Sequence, residues 1–179
     1  MSAIDDIVLS PDPRLKKQCA PIEHIDDTVR KLAQRMLEDM YAAGGCGLAA
    51  LQVGENIRLV VIDVDYGDAP KNPYVLINPT IVESSQELVA GSEGCLSFPG
   101  ISVTVERPNR VVVHALNLDG DMIEYTAENN LMCVCLQHEI DHLDGTTMID
   151  HLSPTARARA LREYEQAREA GAQPGDTEV

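Results

Sequence analysis

The chain has 179 residues, of which 44% are hydrophobic, and 29 acidic against 14 basic side chains give it a formal net charge of −15. This length suits one ordinary domain, and the composition is typical of a folded globular protein. The negative charge repels phosphate backbones, which argues against direct nucleic-acid binding. No apolar run approaches the roughly 18–20 residues that a membrane span needs, so no membrane partner is expected.

The N-terminus and the cysteines indicate the compartment. The start, MSAIDDIVLSPDPRL, lacks the basic and apolar regions of a secretory signal and is too acidic for a typical transit peptide. The number of cysteines is odd, at five, and no CxxC spacing occurs, which fits reduced thiols. We therefore expect a bacterial cytoplasmic protein.

The predicted elements run in the order helix, strands, helix, helix. Segment 26–43 has apolar residues at the i, i+3, i+4, i+7 spacing of an amphipathic helix and ends where a glycine-rich loop begins at Gly44. Five β-branched runs bounded by turn residues predict strands over 57–64, 74–82, 101–105, 110–118 and 121–127. Asp119-Gly120 is typical of a tight hairpin turn between the last two.

Two helices are predicted in the C-terminal third. The first is capped by Asn129 or Asn130 and ends before Gly145, and the second begins at Ser153-Pro154 and runs to about Ala170. Hairpins without βαβ alternation predict an α+β fold. We expect antiparallel or mixed sheets packed around the first of these helices, flanked by an N-terminal and a C-terminal helix. Residues 1–170 are expected to form a single domain and 171–179 a disordered tail.

The segment HEIDH, residues 138–142, has the spacing of half a metal site. On a helix that advances about 100° per residue, His142 lies about 40° from His138, so both imidazoles can reach one ion. Glu139 lies about 100° away on the flank, where it can reach a water on that ion as a base. The competing interpretation is a helix with two partly exposed histidines and a solvated glutamate. Spacing does not choose the third ligand, for which the candidates are acidic residues, Cys46, Cys95, Cys135, His114 and His151.

The same helical wheel predicts an apolar wall beside the ion. Leu131, Val134 and Cys135 lie on the metal face, one or two turns nearer the helix N-terminus. Ordinary core packing is compatible with that role. Cys135 points away from where the imidazoles converge, and Cys133 lies on the opposite face, as a core thiol would.

Three stretches resemble the motifs of one family, the peptide deformylases. These are GCGLAALQ (45–52), EGCLS (93–97) and HEIDH (138–142), in the family's order and at suitable distances. The resemblance extends over nearly the whole chain and is close to the bacterial type. It implies that Cys95 is the third metal ligand and that Cys46, where members usually carry a larger aliphatic residue, lines the substrate pocket. Leu51, Asn130 and Ser102 are further departures, and Ser102 stands where some members carry an arginine thought to contact substrate.

The resemblance implies a metal-dependent hydrolase of N-formyl-methionyl peptides that releases formate. Three protein ligands leave one position open, which is typical of a catalytic site. The expected cofactor is Fe²⁺, with Zn²⁺, Ni²⁺ or Co²⁺ as substitutes. Glu139 is expected to act as the base, and the Gln52 amide and the Leu96 N–H to stabilise the oxyanion. The expected substrate-binding residues are Gly45, Cys46, Gly47, Gly94, Leu131, Val134 and Cys135.

Several further expectations concern residues around the site. Glu93 and Arg107 are hypothesised to form an ion pair behind the Cys95 loop, and His114 and His151 each to have a satisfied hydrogen bond. Family members work on nascent chains, and some dock on the ribosome through the C-terminal helix. Here that helix carries four arginines and three glutamates, so an ordinary solvated face with i,i+4 pairs is an equal alternative.

Two competing functions follow from the HExxH motif. A zinc endopeptidase would cleave blocked internal peptides and usually has a histidine or glutamate as third ligand, which the EGCLS loop argues against. A metal-binding relative without activity would be expected to lack Glu139 or Gln52, and both are present.

Overall fold

Seven strands and three α-helices build the fold in the computed structural model, which describes residues 3–177. The helices are α1 (Asp27–Ala42), α2 (Leu131–Leu143) and α3 (Pro154–Glu169). The strands are β1 (Gly47–Ala49), β2 (Leu59–Ile62), β3 (Tyr74–Ser84), β4 (Leu88–Glu93), β5 (Val103–Pro108), β6 (Arg110–Leu116) and β7 (Met122–Glu128). No helix within this described range is long and apolar enough to cross a membrane.

The strands form two separate sheets. One has five strands in the order β1-β2-β3-β6-β7, and the other consists of β4 and β5. Every pair of neighbouring strands in these sheets is antiparallel, so the α+β prediction is confirmed without a mixed sheet. The predicted hairpin joins β6 to β7, with Leu116 opposite Met122 and Gly120 at φ 85° in the turn.

All three helices begin at side-chain caps. Asp26 accepts a hydrogen bond from the backbone N of Val29, and Ser153 accepts one from the backbone N of Ala156. Of the two candidates for α2, Asn130 is the cap and accepts from the N of Cys133, while Asn129 has a positive φ of 50°. Such caps satisfy N–H groups that have no partner inside the helix.

The five-stranded sheet separates α1 from α2. Strand β2 is buried on both faces: Leu59 and Val61 pack in a cluster with α1, whereas Val60 and Ile62 pack in a cluster with α2. This alternation follows from the two-residue period of a strand. Helix α3 packs in a third cluster with β5 and the β4–β5 connection.

Strands β1 and β4 were not predicted from the sequence. Strand β1 is three residues long and starts in the glycine-rich loop, so it has no periodic pattern; pairing with β2 defines it. Strand β4 is exposed along all but its last residue and therefore lacks a buried face. Strand β1 lies within the first family motif, and β4 ends at the first residue of the second.

The structure gives residues 171–177 defined contacts, whereas the sequence predicts disorder there. Ala172 is buried, and the N of Gly100 donates a hydrogen bond of 2.8 Å to the carbonyl of Asp176. A Cβ on Gly175 would lie 2.1 Å from the carbonyl oxygen of Ala43, so only glycine fits that approach. Residues 178–179 lie outside the described part, and the single domain over 1–170 stays a prediction.

Candidate active site

The three expected metal ligands converge from two elements. His138 and His142 lie on α2, one turn apart, and Cys95 lies just after β4. Their ligand atoms are within 4.8 Å of one another, and the Cys95 Sγ is 3.3 Å from the His142 Nε2. Ligand atoms around one tetrahedral ion, at bonds of about 2.0–2.3 Å, lie about 3.5 Å apart. The donor set therefore fits a divalent transition metal.

The protein fixes the orientation of His138. Its Nδ1 lies 2.9 Å from the Oε1 of Glu93, and both side chains are buried. A carboxylate at one ring nitrogen leaves the other nitrogen as the ligand and increases its basicity. His142 has no exposed surface, and burial lowers the pKa of its ring well below the ordinary value, which keeps the imidazole neutral and able to ligate.

Glu93 also pairs with Arg107, which the structure shows as a buried two-pronged ion pair. The Arg107 Nε donates to Oε2 of Glu93 at 2.6 Å and Nη2 donates to Oε1 at 2.9 Å. Burial raises the pKa of Glu93, but the hydrogen bonds from His138 and Arg107 outweigh it and lower that pKa to about 2. Glu93 is thus a carboxylate that links the metal-ligand helix to β5.

The network continues through Asp141, which sequence reasoning did not assign. The Arg107 Nη1 donates to Asp141 Oδ2 at 2.8 Å, and His151 Nε2 lies 2.7 Å from the same oxygen. His151 thus has the hydrogen bond that was predicted for it, as does His114, whose Nε2 lies 2.9 Å from Glu124. In the sequence, the position of Asp141 inside HEIDH, next to the ligand His142, was the feature that could have indicated this network.

Glu139 lies at the floor of the cleft beside the ligands. The residue is 5% exposed, and its Oε2 has no hydrogen-bond partner among the described residues. Burial raises the pKa of its carboxyl to about 7. A buried carboxyl with an unpartnered oxygen costs free energy, so such groups are found where they meet water or substrate.

Gln52 is held beside Cys95 on the short 3-10 helix Ala50–Val53. Its Oε1 accepts from the N of Ala49 at 2.9 Å, and its Nε2 donates to Ser97 Oγ at 3.0 Å and lies 3.7 Å from Cys95 Sγ. The amide is therefore oriented with its donor toward the metal loop. Ser97, the last residue of EGCLS, had no role assigned from the sequence.

One cleft of about 230 Å³ brings the expected residues together. Its lining includes every predicted catalytic and substrate-binding residue: Gly45, Cys46, Gly47, Gln52, Gly94, Leu96, Leu131, Val134, Cys135 and Glu139. Cys95 and His138 also line it, while His142 lies buried behind them. Sequence reasoning missed the wall formed by residues 175–177. Cys133, predicted to be a core thiol, is buried in the cluster between α2 and the sheet.

Two glycines of the cleft pack closely against side chains of the site. A Cβ on Gly47 would lie 2.6 Å from Glu139 Oε1, and a Cβ on Gly45 would lie 2.9 Å from Leu96 Cδ1. The loop 44–47 therefore contacts both the expected base and the residue after the cysteine ligand.

Comparisons with known proteins agree with this site. The family model described as polypeptide deformylase matches residues 4–158. A peptide deformylase of Bartonella bacilliformis is 47% identical over 169 residues, covering 91% of this chain and 92% of that protein. One of Alkalilimnicola ehrlichii is 49% identical over 164 residues, covering 92% and 90%.

Solved structures agree as well. A crystal structure of a peptide deformylase from Legionella pneumophila has a TM-score of 0.86 at 41% identity, covering 92% of this chain and 95% of that one. The Ehrlichia chaffeensis enzyme in complex with actinonin has a TM-score of 0.83 at 39% identity, covering 93% and 97%. The chain therefore belongs to the polypeptide deformylase family, whose members are metalloenzymes, and it is a hydrolase that removes the formyl group from N-formylmethionine of nascent chains.

Proposed function

We propose that Cys95, His138 and His142 hold the catalytic metal ion and that the ion is Fe²⁺, with Zn²⁺, Ni²⁺ or Co²⁺ as substitutes. The observation that carries this proposal is the convergence of the three ligand atoms within 4.8 Å at the floor of one cleft, next to Glu139. One thiolate and two imidazoles form a borderline-soft donor set that suits iron and zinc alike, and the family resemblance favours iron. The bound ion supplies Lewis acidity and lowers the pKa of a water molecule.

Glu139 is the general base in this proposal. Glu139 lines the cleft beside the ligands, where its carboxylate can take a proton from water and later pass one to the leaving amine. Gly47 packs against one of its oxygens, which limits the positions that the carboxylate can adopt. The Gln52 amide and the Leu96 backbone N–H stabilise the oxyanion, and removing one such donor costs about 3–4 kcal/mol in well-studied sites.

The substrate is an N-formyl-methionyl peptide at the start of a nascent chain. Its methionine side chain enters the pocket walled by Cys46, Leu131, Val134 and Cys135. Backbone groups around Gly45–Gly47 and Gly94 pair with the extended peptide as an added strand. The sulfur ligand and the family membership disfavour a zinc endopeptidase, and the presence of Glu139 and Gln52 in the cleft disfavours a relative without activity.

The test is release of formate from formyl-Met-Ala-Ser by protein prepared anaerobically with Fe²⁺. Glu139→Ala is expected to keep the metal and lose turnover, whereas the exposed Glu165→Ala on α3 is the matched control and is expected to keep both. Turnover by Glu139→Ala at the rate of the parent protein would refute the assignment of the base. Substituting Cys95 with Ser is expected to lower metal content together with activity.

The cellular compartment and a docking partner of the enzyme are also proposed. We infer that it works in a bacterial cytoplasm and that α3 can dock on the ribosome. Arg157 already pairs with Asp150, and Arg159 with Glu163. The positive charge available for docking is therefore that of Arg162 and Arg168, which are exposed.

The docking proposal is tested by charge reversal. Ala160, Tyr164 and Ala167 are buried in the third cluster, which also contains Phe98 and residues of β5, so removing the helix would expose core residues. Reversing Arg162 and Arg168 to Glu avoids that. Loss of co-sedimentation with ribosomes, at unchanged formate release from the tripeptide, is the expected result. Unchanged co-sedimentation would leave α3 as a solvated face.

A further inference from the structure

Two thiols meet in the wall of the substrate pocket. The Cys46 Sγ lies 3.1 Å from the Cys135 Sγ, although the two residues are 89 positions apart in the chain. All five cysteines are free thiols, and this pair is the one for which the structure shows a contact between two sulfur atoms. Cys133 instead contacts the carbonyl of Pro108 and the side chain of Gln137.

The position of this pair makes it reachable from solvent. Both residues line the cleft, and Cys46 is partly exposed while Cys135 is buried. A reagent that enters the cleft can therefore reach Cys46, whose sulfur lies 3.1 Å from the Cys135 sulfur. A disulfide bond of about 2.05 Å needs the two sulfur atoms to approach by about 1 Å.

We propose that Cys46 and Cys135 are a redox-sensitive pair. Reaction with a small-molecule disulfide such as oxidised glutathione joins the two cysteines in a disulfide bond, and this bond inactivates the enzyme. The Cys46 sulfur attacks the glutathione disulfide, giving a mixed disulfide and one glutathione thiol. The Cys135 sulfur then attacks the Cys46 sulfur and releases the second glutathione thiol. Two protein thiols are oxidised and one glutathione disulfide is reduced to two thiols, so protons and electrons balance.

Inactivation follows from what the disulfide ties together. It joins the loop 44–47 to α2, the helix that carries His138, Glu139 and His142. Gly47 already packs against the Glu139 carboxylate, so a shift of the loop by about 1 Å toward α2 would press on the group that acts as the base. A misplacement of about 1 Å can cost about 100-fold in rate. This functional consequence rests on the roles proposed above for the cleft, whereas the formation of the bond does not.

The experiment equilibrates the metal-loaded protein in glutathione buffers of decreasing ratio of reduced to oxidised form. Free thiols are alkylated, linked peptides are mapped by mass spectrometry, and formate release and metal content are measured before and after dithiothreitol. Cys46→Val and Cys135→Ala remove the pair, and each is compared with its own untreated activity. Cys133→Ala, on the same helix but without a sulfur neighbour, is the matched control.

The expected result is a peptide that links Cys46 to Cys135, two alkylated thiols fewer, and formate release lower by at least about tenfold, restored by dithiothreitol with the metal retained. Cys46→Val resists the oxidant, Cys135→Ala stops at a mixed disulfide of Cys46 with glutathione and gives no linked peptide, and Cys133→Ala responds as the parent does. The absence of the linked peptide overturns the proposal. The proposal is also overturned if the oxidant inactivates Cys46→Val by modifying Cys95, because inactivation then does not need the pair. If the linked protein keeps full activity, the claim that the bond inactivates the enzyme is wrong. Untreated protein that releases no formate refutes the proposed function instead, because peptide mapping still reports the disulfide.

Discussion

Replacing Glu93 by Gln tests how the buried network supports the metal site. The neutral amide keeps the shape of the side chain but leaves the Arg107 guanidinium without its two-pronged carboxylate. Removing one partner of a buried ion pair costs about 3–5 kcal/mol, and Asp141 still contacts Arg107, so we expect about 3 kcal/mol. Loss of the carboxylate at His138 Nδ1 is expected to weaken metal affinity by about 10–100-fold.

The pH dependence of this effect has a definite sign. The pKa of Glu93 falls from its ordinary 4.5 to about 2 in the folded protein, so its contribution is complete above about pH 5 and is lost as the pH falls toward 2. The free energy of unfolding of parent and variant metal-free protein should therefore differ most at neutral pH and converge on acidification.

Urea unfolding followed by circular dichroism and metal competition with a chromophoric chelator measure the two quantities. Glu163→Gln is the control, because its exposed pair with Arg159 should contribute less than about 1 kcal/mol. A Glu93→Gln protein within 1 kcal/mol of the parent, with unchanged metal affinity, would refute the role given to the network.

Three further predictions follow from packing around the cleft and α1. Gly47→Ala forces a Cβ to within 2.6 Å of the Glu139 carboxylate and should lower kcat for formate release at least about tenfold, whereas Gly91→Ala, with no atom within 4 Å, should not. Burial raises the pKa of Asp39, whose Oδ2 lacks a hydrogen-bond partner in the described range and lies 3.9 Å from the Arg35 Nε, so Asp39→Asn should raise the unfolding free energy at pH 7 by about 1 kcal/mol. That gain should shrink as the pH falls below the raised pKa, where the parent carboxyl is protonated. Ending the chain after Gln173 removes one wall of the cleft. Because the cleft is then wider, KM for long formyl-methionyl peptides should fall while kcat stays unchanged. An unaltered KM in Michaelis curves would contradict this.

Local patterns were sufficient for the helices and most strands. The apolar stripe of α1, the Asn130 and Ser153 caps and the hairpin turn at Gly120 are interactions between residues close in the chain, so the sequence shows them directly. Strand β1 lacks such a pattern because it exists through pairing with β2. The contacts of residues 171–177 likewise depend on Gly100 and Ala43, far away in the sequence.

The sequence by itself determined half of the metal site, because two histidines four apart on a helix must share a face. It also named Glu139 as the neighbouring base and, through three family motifs, the cysteine that completes the ligand set. Only the tertiary structure decided that Arg107 and Asp141 extend the Glu93–His138 contact into a buried network. It alone brought the Cys46 thiol against that of Cys135. Such contacts join residues tens of positions apart, and their distances depend on how the sheets and helices pack rather than on any local spacing.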